Sequence, residues 1–452
     1  MGFSLSYRRP AHIDKEQFRR DNSSLSDTEK SDASLKSGKS GASSGIPDAL
    51  AFDKIMSGGT CPPCTIRDFM NYLLYIEHSA ENLQFFLWYR DYVKRFDEAS
   101  TSETRLSPEW TQAMEDETSA KIQRDAAEKM RRKPKAVNAI FKGTDFEKGA
   151  LYLAVDNRDP FSTPPGTPSV KDAPSVYSGS QTHSYRAHAQ DAFSAAGATQ
   201  PFTIQPFRAE INRVIATYIM DSAPRQLNLS DREQKAAVQA LAYTTHPSAL
   251  RAVLRGVEST LRRQAHPNFI RWTICNGNPA RVYFAQGLGA GLIALATAGA
   301  LLTTLSSAGR GWRALYAIAW AAGIATLIAG CKGMCVVLHG LHHRHVRPWE
   351  LFESSPSSSP SVNESELEDQ SKGKGNSFES FGSGNSYEDE PWVARYRRRN
   401  VVRRVFDREV WIQEPALRQV QDVIFVQSVL AALLGAGVLT AVFVAVPAGG
   451  FF

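Results

Sequence analysis

The sequence predicts an all-α protein: a helical bundle interrupted by a long insert, followed by three transmembrane helices. Three observations carry that expectation. Three late blocks are apolar and almost free of charge. Several earlier segments repeat apolar residues at helical spacing. No segment alternates apolar and polar residues with comparable strength, so strands are not expected.

The apolar blocks run from Phe284 to Leu305, from Ala314 to Cys331 and from Val423 to Val446. A helix crosses the hydrocarbon core with about 20 apolar residues. The first and third blocks are long enough. The second reaches that length if it continues to about Cys335, leaving Lys332 to snorkel to the headgroups. The run Gly287-Leu-Gly-Ala-Gly291 allows close helix packing. Arg262, Arg263, Arg271 and Arg281 precede the first span, and seven Arg lie between Arg395 and Arg408 before the third, whereas only Arg310 and Arg313 lie in the short first loop. The positive-inside bias therefore places the N-terminal region and the long second loop in the cytosol. Residues 1–50 contain no apolar core of a signal peptide.

The averages conceal this organisation. The 452 residues carry a net charge of +6 and 42% hydrophobic residues, values typical of a soluble protein. They exclude a collagen, a rod-like coiled coil and a wholly disordered chain. Five cysteines do not suit a secreted disulfide framework. Residues 1–46 read as a polar disordered tail, and 155–200 as a Pro-rich linker. The second loop, 353–420, begins acidic and Ser-rich and becomes Arg-rich. There Arg397, Arg398, Arg399, Arg403 and Arg404 are candidates for binding anionic lipid. The alternative is that the cluster only sets topology. It lacks interleaved aromatics, and no nucleic acid is expected.

Between these stretches lie the helices of the bundle. Phe207, Ile211, Val214, Ile215, Tyr218 and Ile219 fall on one face. Ser230-Asp-Arg-Glu233 reads as a capping box opening a helix with Ala237, Val238 and Leu241. Leu250, Val253, Leu254, Val257 and Leu261 form another stripe. Ser79 can cap a helix running through Leu83, Phe86, Tyr89 and Val93, with Glu81 in its first turn. Pro108 to Arg132 can form a charged, peripheral helix inside the insert, which spans about 97–205.

Two of these pieces resemble the regulator-of-G-protein-signalling (RGS) domain. Ile66-Arg-Asp-Phe-Met-Asn-Tyr-Leu73 and Glu77-His-Ser-Ala-Glu-Asn82, continued by Leu83-Gln-Phe-Phe86, look like the family's Phe-x-x-(Phe/Tyr)-Leu and Glu-x-Ser-x-Glu-Asn-Leu-x-Phe runs. Ala223-Pro-Arg-Gln-Leu-Asn-Leu229 is similar to the family segment in which an Asn precedes a helix. His266-Pro-Asn-Phe-Ile270 matches the third segment loosely. The resemblance covers roughly 48–96 and 205–272 within a domain of 48–272. With spans at 282–345 and 423–446, the chain is similar to a fungal subgroup that includes a yeast bud-site-selection membrane protein. The stretches 266–272 and 347–352 strengthen that closer likeness.

The resemblance implies a plasma-membrane protein whose cytosolic domain binds the switch regions of a G-protein α subunit (Gα) and speeds GTP hydrolysis, with no catalytic residue of its own. Gα supplies an Arg and a water-orienting Gln, and an RGS domain holds the switches in their transition-state arrangement. By position Asn82 and Asn228 contact the switches, and Glu81 shapes the surface. The local alternatives are a satisfied first-turn Asn82 and an Asn228 that merely flanks the Ser230 cap. Two departures are visible. Gln264 and Asn268 replace an Asp and an Arg that form an internal pair in the family, and the insert separates the two Asn-bearing halves. A polarity or bud-site landmark scaffold without GTPase activation is the alternative reading.

Other candidates carry less. Cys61-Pro-Pro-Cys64 has redox spacing, but no βαβ pattern surrounds it. His339, His342, His343 and His345 have a spacing that could hold a metal, yet such residues beside a span are usually interfacial. No nucleotide-binding loop, serine elbow or zinc-protease motif occurs, and no cofactor or metal is expected.

Overall fold

A computed structural model describes residues 10, 12–14, 16, 18, 45–99, 101–132, 179–199, 201, 204–221, 223–275, 279–334, 342–353, 393, 398–400, 402, 405–406, 408–447 and 449. Among the described residues the α-helices of five residues or more are, in chain order, α1 (Phe52–Met56), α2 (Ile66–Tyr72), α3 (Ala80–Glu98), α4 (Gln112–Arg132), α5 (Gly179–Ala195), α6 (Arg208–Val214), α7 (Asp231–Tyr243), α8 (Arg251–Thr260), α9 (His266–Ile274), α10 (Pro279–Leu305), α11 (Tyr316–Cys331), α12 (Pro348–Glu353) and α13 (Pro415–Ala445). Strands β1 (His343–His345) and β2 (Glu409–Trp411) pair antiparallel, with His343 opposite Trp411. This ribbon was not expected from the sequence, because three-residue strands are too short to show alternation. π-helical turns continue α2, α6 and α8, at Leu73–Glu77, Ile215–Ile219 and Leu261–Ala265.

Contacts divide the chain into two units: residues 1–83 with 258–452, and residues 84–257. The backbone passes from one to the other within α3 and again within α8.

Three helices of the first unit are long and apolar enough to cross a membrane: 280–305, 310–331 and 415–445. Small residues let them meet. A Cβ on Gly289 of α10 would lie 2.8 Å from the Leu327 nitrogen and 2.9 Å from the Gly323 oxygen of α11. The central glycine of the predicted run is thus the one at the contact, and Gly287 and Gly291 face open space. Farther along, Trp320 is fully buried among Ala296, Ala300 and Ala436. Its indole N–H donates to Thr297 Oγ1 at 3.1 Å, and its ring stacks on Phe443. Hydrocarbon offers no partner to a free N–H, so the Trp needs this hydroxyl. At the hairpin end, buried Arg313 donates to the Phe443 and Val446 carbonyls at 2.9 and 2.6 Å. A cation there complements the C-terminal dipole of α13.

Two span limits differ from expectation. The second helix does not reach Cys335. It ends at Cys331 in a Schellman motif: Gly333 has φ 86°, its N–H bonds the Gly330 oxygen, and the Met334 N–H bonds the Ala329 oxygen. The span takes its length instead from a 3₁₀ segment before it, Arg310–Leu315. The third helix starts at Pro415, not near Val423. Glu414 is its N-cap and Pro415 suits the first helical position. Its early turns carry Arg418, Gln421 and Asp422, and polarity hid them from a hydropathy argument.

The second unit is built on α3. Phe85, Trp88, Tyr92 and Phe96 recur on one face, and successive rings in the order Phe85–Trp88–Tyr92–Phe96 contact one another. Glu210 ties α6 to this face, accepting from Trp88 Nε1 at 2.7 Å and from Arg95 at 2.6 and 2.7 Å. Tyr92 donates to the Thr245 carbonyl at 2.5 Å, and burial pushes its phenol well above the ordinary range. The predicted stripe Ile211, Val214, Ile215, Tyr218 and Ile219 is buried throughout. Phe207 differs: it precedes α6 with φ 56° and packs edge-on against Tyr92. Pro108–Arg132 yields α4, which begins at Gln112. Buried Arg208 donates to the Leu241 carbonyl at 2.7 Å, and burial lowers its pKa to about 10.

The glycine contact makes a direct prediction. Gly289→Leu should destabilise the span pair by about 1–3 kcal/mol, the usual cost of overpacking, whereas Gly287→Leu should be neutral. Apparent melting temperatures of the detergent-solubilised full chain would test this. Equal effects of the two substitutions would remove Gly289 from the contact.

Candidate functional site

The predicted partner-binding residues fall in different units and are described separately. Asn82 lies in the first turn of α3, just after a left-handed His78 with φ 53° and ψ 47°. It is buried. Its amide nitrogen faces the Ser79 carbonyl at 3.5 Å and Glu81 Oε1 at 3.3 Å. Glu81 is half-buried beside it.

Asn228 is exposed. The Leu229 N–H bonds the Leu227 carbonyl at 2.8 Å, which places Asn228 at the apex of a three-residue turn. Buried Leu227 anchors that turn, and its N–H bonds the Tyr218 carbonyl at 2.9 Å. The capping box follows as expected. Ser230 Oγ accepts from the Glu233 N–H, and Glu233 Oε2 accepts from the Ser230 N–H at 2.8 Å. Beside the turn is a cavity of about 390 Å³, lined by Trp110, Leu229, Arg232, Ala240 and Val253 among others. Its lining combines several alanines with the charged Glu115, Arg232 and Glu233, a mixture suited to an amphipathic guest.

A second cluster, in the first unit, was not predicted. Thr65 caps α2, and its N–H and hydroxyl both donate to Asp68. Asp68 Oδ1 accepts from Arg347 Nη1 at 2.7 Å, and both side chains are nearly sealed from solvent. Arg347 Nη2 donates to the Pro63 carbonyl at 3.0 Å. The Arg347 guanidinium lies 4.7 Å from the Trp272 ring, which stacks on Trp349. Burial pulls the Arg347 pKa down while Asp68 opposes it. The same loop reaches α13: Glu414 Oε2 accepts from the Cys61 N–H at 2.7 Å, and the Pro62 carbonyl accepts from the Gln413 and Glu414 N–H groups. Cys61-Pro-Pro-Cys64 is therefore a clip between elements. Burial, with Glu414 and Asp68 nearby, pushes the Cys64 thiol above its ordinary range, which keeps it protonated and poorly reactive.

Gln264 and Asn268 are both buried. Asn268 binds the N-terminal segment: its Oδ1 accepts from the Ile13 N–H at 2.9 Å and its Nδ2 donates to the Ile13 carbonyl at 3.0 Å. Arg271 donates to the Pro10 carbonyl at 2.8 Å. Nothing in the sequence signals this attachment. For Asp68 a signal existed, since Thr65-x-x-Asp68 has capping-box form.

Of the predicted lipid-binding arginines, Arg398 is exposed and Arg399 half-buried; Arg397, Arg403 and Arg404 lie outside the described residues. Of the histidines, His339 lies outside them as well. His345 meets Arg281 and His342 meets Asp422. Among the described residues no three His, Cys, Asp or Glu side chains converge on a metal position. Comparison with protein-family profiles, with curated proteins and with solved structures finds no match to this chain.

Two predictions follow from this geometry. Removing one partner of a buried ion pair leaves the other uncompensated, at a cost of about 3–5 kcal/mol. Arg347→Met or Asp68→Leu should therefore expose Cys64 to maleimide in a Cys61→Ser background, and the double substitution should protect it better than either alone. Additive exposure would deny the coupling. Separately, His266 Nε2–H donates to the Leu50 carbonyl at 2.8 Å, and burial lowers its pKa to about 4. The folded chain leaves this His neutral while the unfolded chain protonates it below about pH 6.5. Stability should fall as pH drops from about 6.5 to about 4, by roughly 3 kcal/mol in all. His266→Gln should flatten that dependence in melting experiments; an unchanged slope would assign it to other groups.

Proposed function

We propose that this chain is a membrane-anchored regulator of heterotrimeric G-protein signalling. Its helical region binds the switch regions of a Gα subunit and accelerates GTP hydrolysis, so that it shortens the signal. The membrane is the plasma membrane, with the helical region on the cytosolic side. The observation that carries the reading is Asn228: an exposed carboxamide, fixed at the apex of a turn and beside an amphipathic cavity, within a segment similar to the Asn-bearing segment of RGS domains. A carboxamide both donates and accepts without adding charge near a phosphate. It stabilises the switches and the water-orienting Gln of Gα by preorganisation, and supplies no group to the chemistry. Asn82 and Glu81 brace the first turn of α3. Three spans hold the domain near a membrane-bound partner and raise its effective concentration.

The buried position of Asn82 favours one alternative, a polarity or bud-site landmark scaffold that binds without accelerating hydrolysis. The two readings separate in a single-turnover assay with the full chain in nanodiscs and GTP-loaded Gα subunits of its own organism. The regulator reading expects acceleration, and Asn228→Ala should reduce it about tenfold, equivalent to roughly 1.4 kcal/mol of transition-state stabilisation. Binding with an unchanged rate would leave the scaffold. Absence of binding to Gα in any nucleotide state would sink the regulator reading.

A further inference from the structure

The first turns of α10 and the ribbon before α13 leave an unusual surface. Tyr283 is 71% exposed, Phe406 60% and Trp411 50%, and Phe284, Val402 and Val410 are exposed beside them. Full burial of one such side chain is worth about 1.5–3 kcal/mol, so leaving these six in water would be costly. Contacts fix their height. The Phe406 ring meets Phe284 edge-on at 5.6 Å. Arg281, in the first turn of α10, binds Glu409 at 2.8 Å and His345 at 2.7 Å. The Ile412 N–H bonds the His342 carbonyl, and α13 begins three residues later. The exposed aromatics thus sit at the N-terminal ends of the first and third apolar helices.

Charge completes the pattern. Residues 393–418 contain eight Arg and three acidic residues. Arg398 is exposed, and the Arg418 guanidinium lies 4.6 Å from the centre of the Trp411 ring. Aromatic rings in this position, with a cation over the face of one of them, match the boundary between acyl chains and phosphate headgroups.

We propose that the ribbon and its flanks form an interfacial collar for an anionic phospholipid leaflet. Phe406 and Trp411 enter the upper acyl region, and Arg398 and Arg418 bind the phosphates and carboxylates of anionic headgroups from above. The collar is continuous with the spans, which selects lipid as the occupant over a protein partner. It does not depend on the Gα reading.

Two measurements on the full chain in nanodiscs test this. The fluorescence difference between the wild type and Trp411→Phe isolates Trp411. Bromine high on the acyl chains should quench that difference, and aqueous acrylamide should not; the reverse would overturn the collar. Phe406→Trp provides a second reporter with the same expectation if Trp411→Phe folds poorly. Spin-labelled phosphatidylserine and phosphatidylcholine should then show a preference for the anionic lipid, reduced about fivefold by Arg398→Gln. Equal association of both lipids with the wild type would show that the surface has no anionic selectivity.

Discussion

The salt bridge between Asp68 and Arg347 is the constraint on which the first unit depends. Neither charge could stay out of water alone. Asp68 is already engaged as the reciprocal cap of α2, so the pair joins a helix start to the segment after the second span. Arg347 also satisfies the Pro63 carbonyl and lies over Trp272. One guanidinium thereby fixes a loop, a helix and an aromatic stack, a task its planar fork performs and a lysine would not. The clip formed by Cys61 and Pro62 extends the same arrangement to Glu414, and so to the first turn of α13.

Within the membrane the organising principle changes. There the backbone is self-satisfied and no hydrophobic gain comes from pairing helices, so close approach decides the packing. Gly289 against Gly323 is such an approach. Several polar side chains there find specific partners: Trp320 with Thr297, Gln286 with the Gly330 carbonyl, Lys332 with Gln427. These bonds set register, and the small residues set distance.

Local signals in the sequence were reliable where local physics decides. The three spans follow from hydropathy, the Ser230 box from spacing, and the buried stripes of α6, α7 and α8 from period. The errors have physical causes. A Gly two residues past Cys331 could supply a left-handed cap, and a count of apolar residues ignored it. The polar start of α13 is helical because Glu414 and Pro415 begin it, which hydropathy cannot detect. For the candidate site, the turn before α7 was legible and the exposure of Asn228 was not. The tie between Asn268 and Ile13 and the Asp68–Arg347 pair depend on residues far apart in the chain, and one sequence carries no trace of such pairings.

That separation has a consequence for biogenesis. Asp68 lies 279 residues before Arg347, and Cys61 lies 353 before Glu414. Ribosomes complete about 5–20 residues per second, so α2 exists for tens of seconds before its partners are made. During that interval Asp68 has only its local cap, and the apolar face of α2 lacks its cover. The first unit therefore closes only after the third span begins to emerge. Its assembly is coupled to membrane insertion, and a chain stalled before residue 347 exposes a surface that quality control can read.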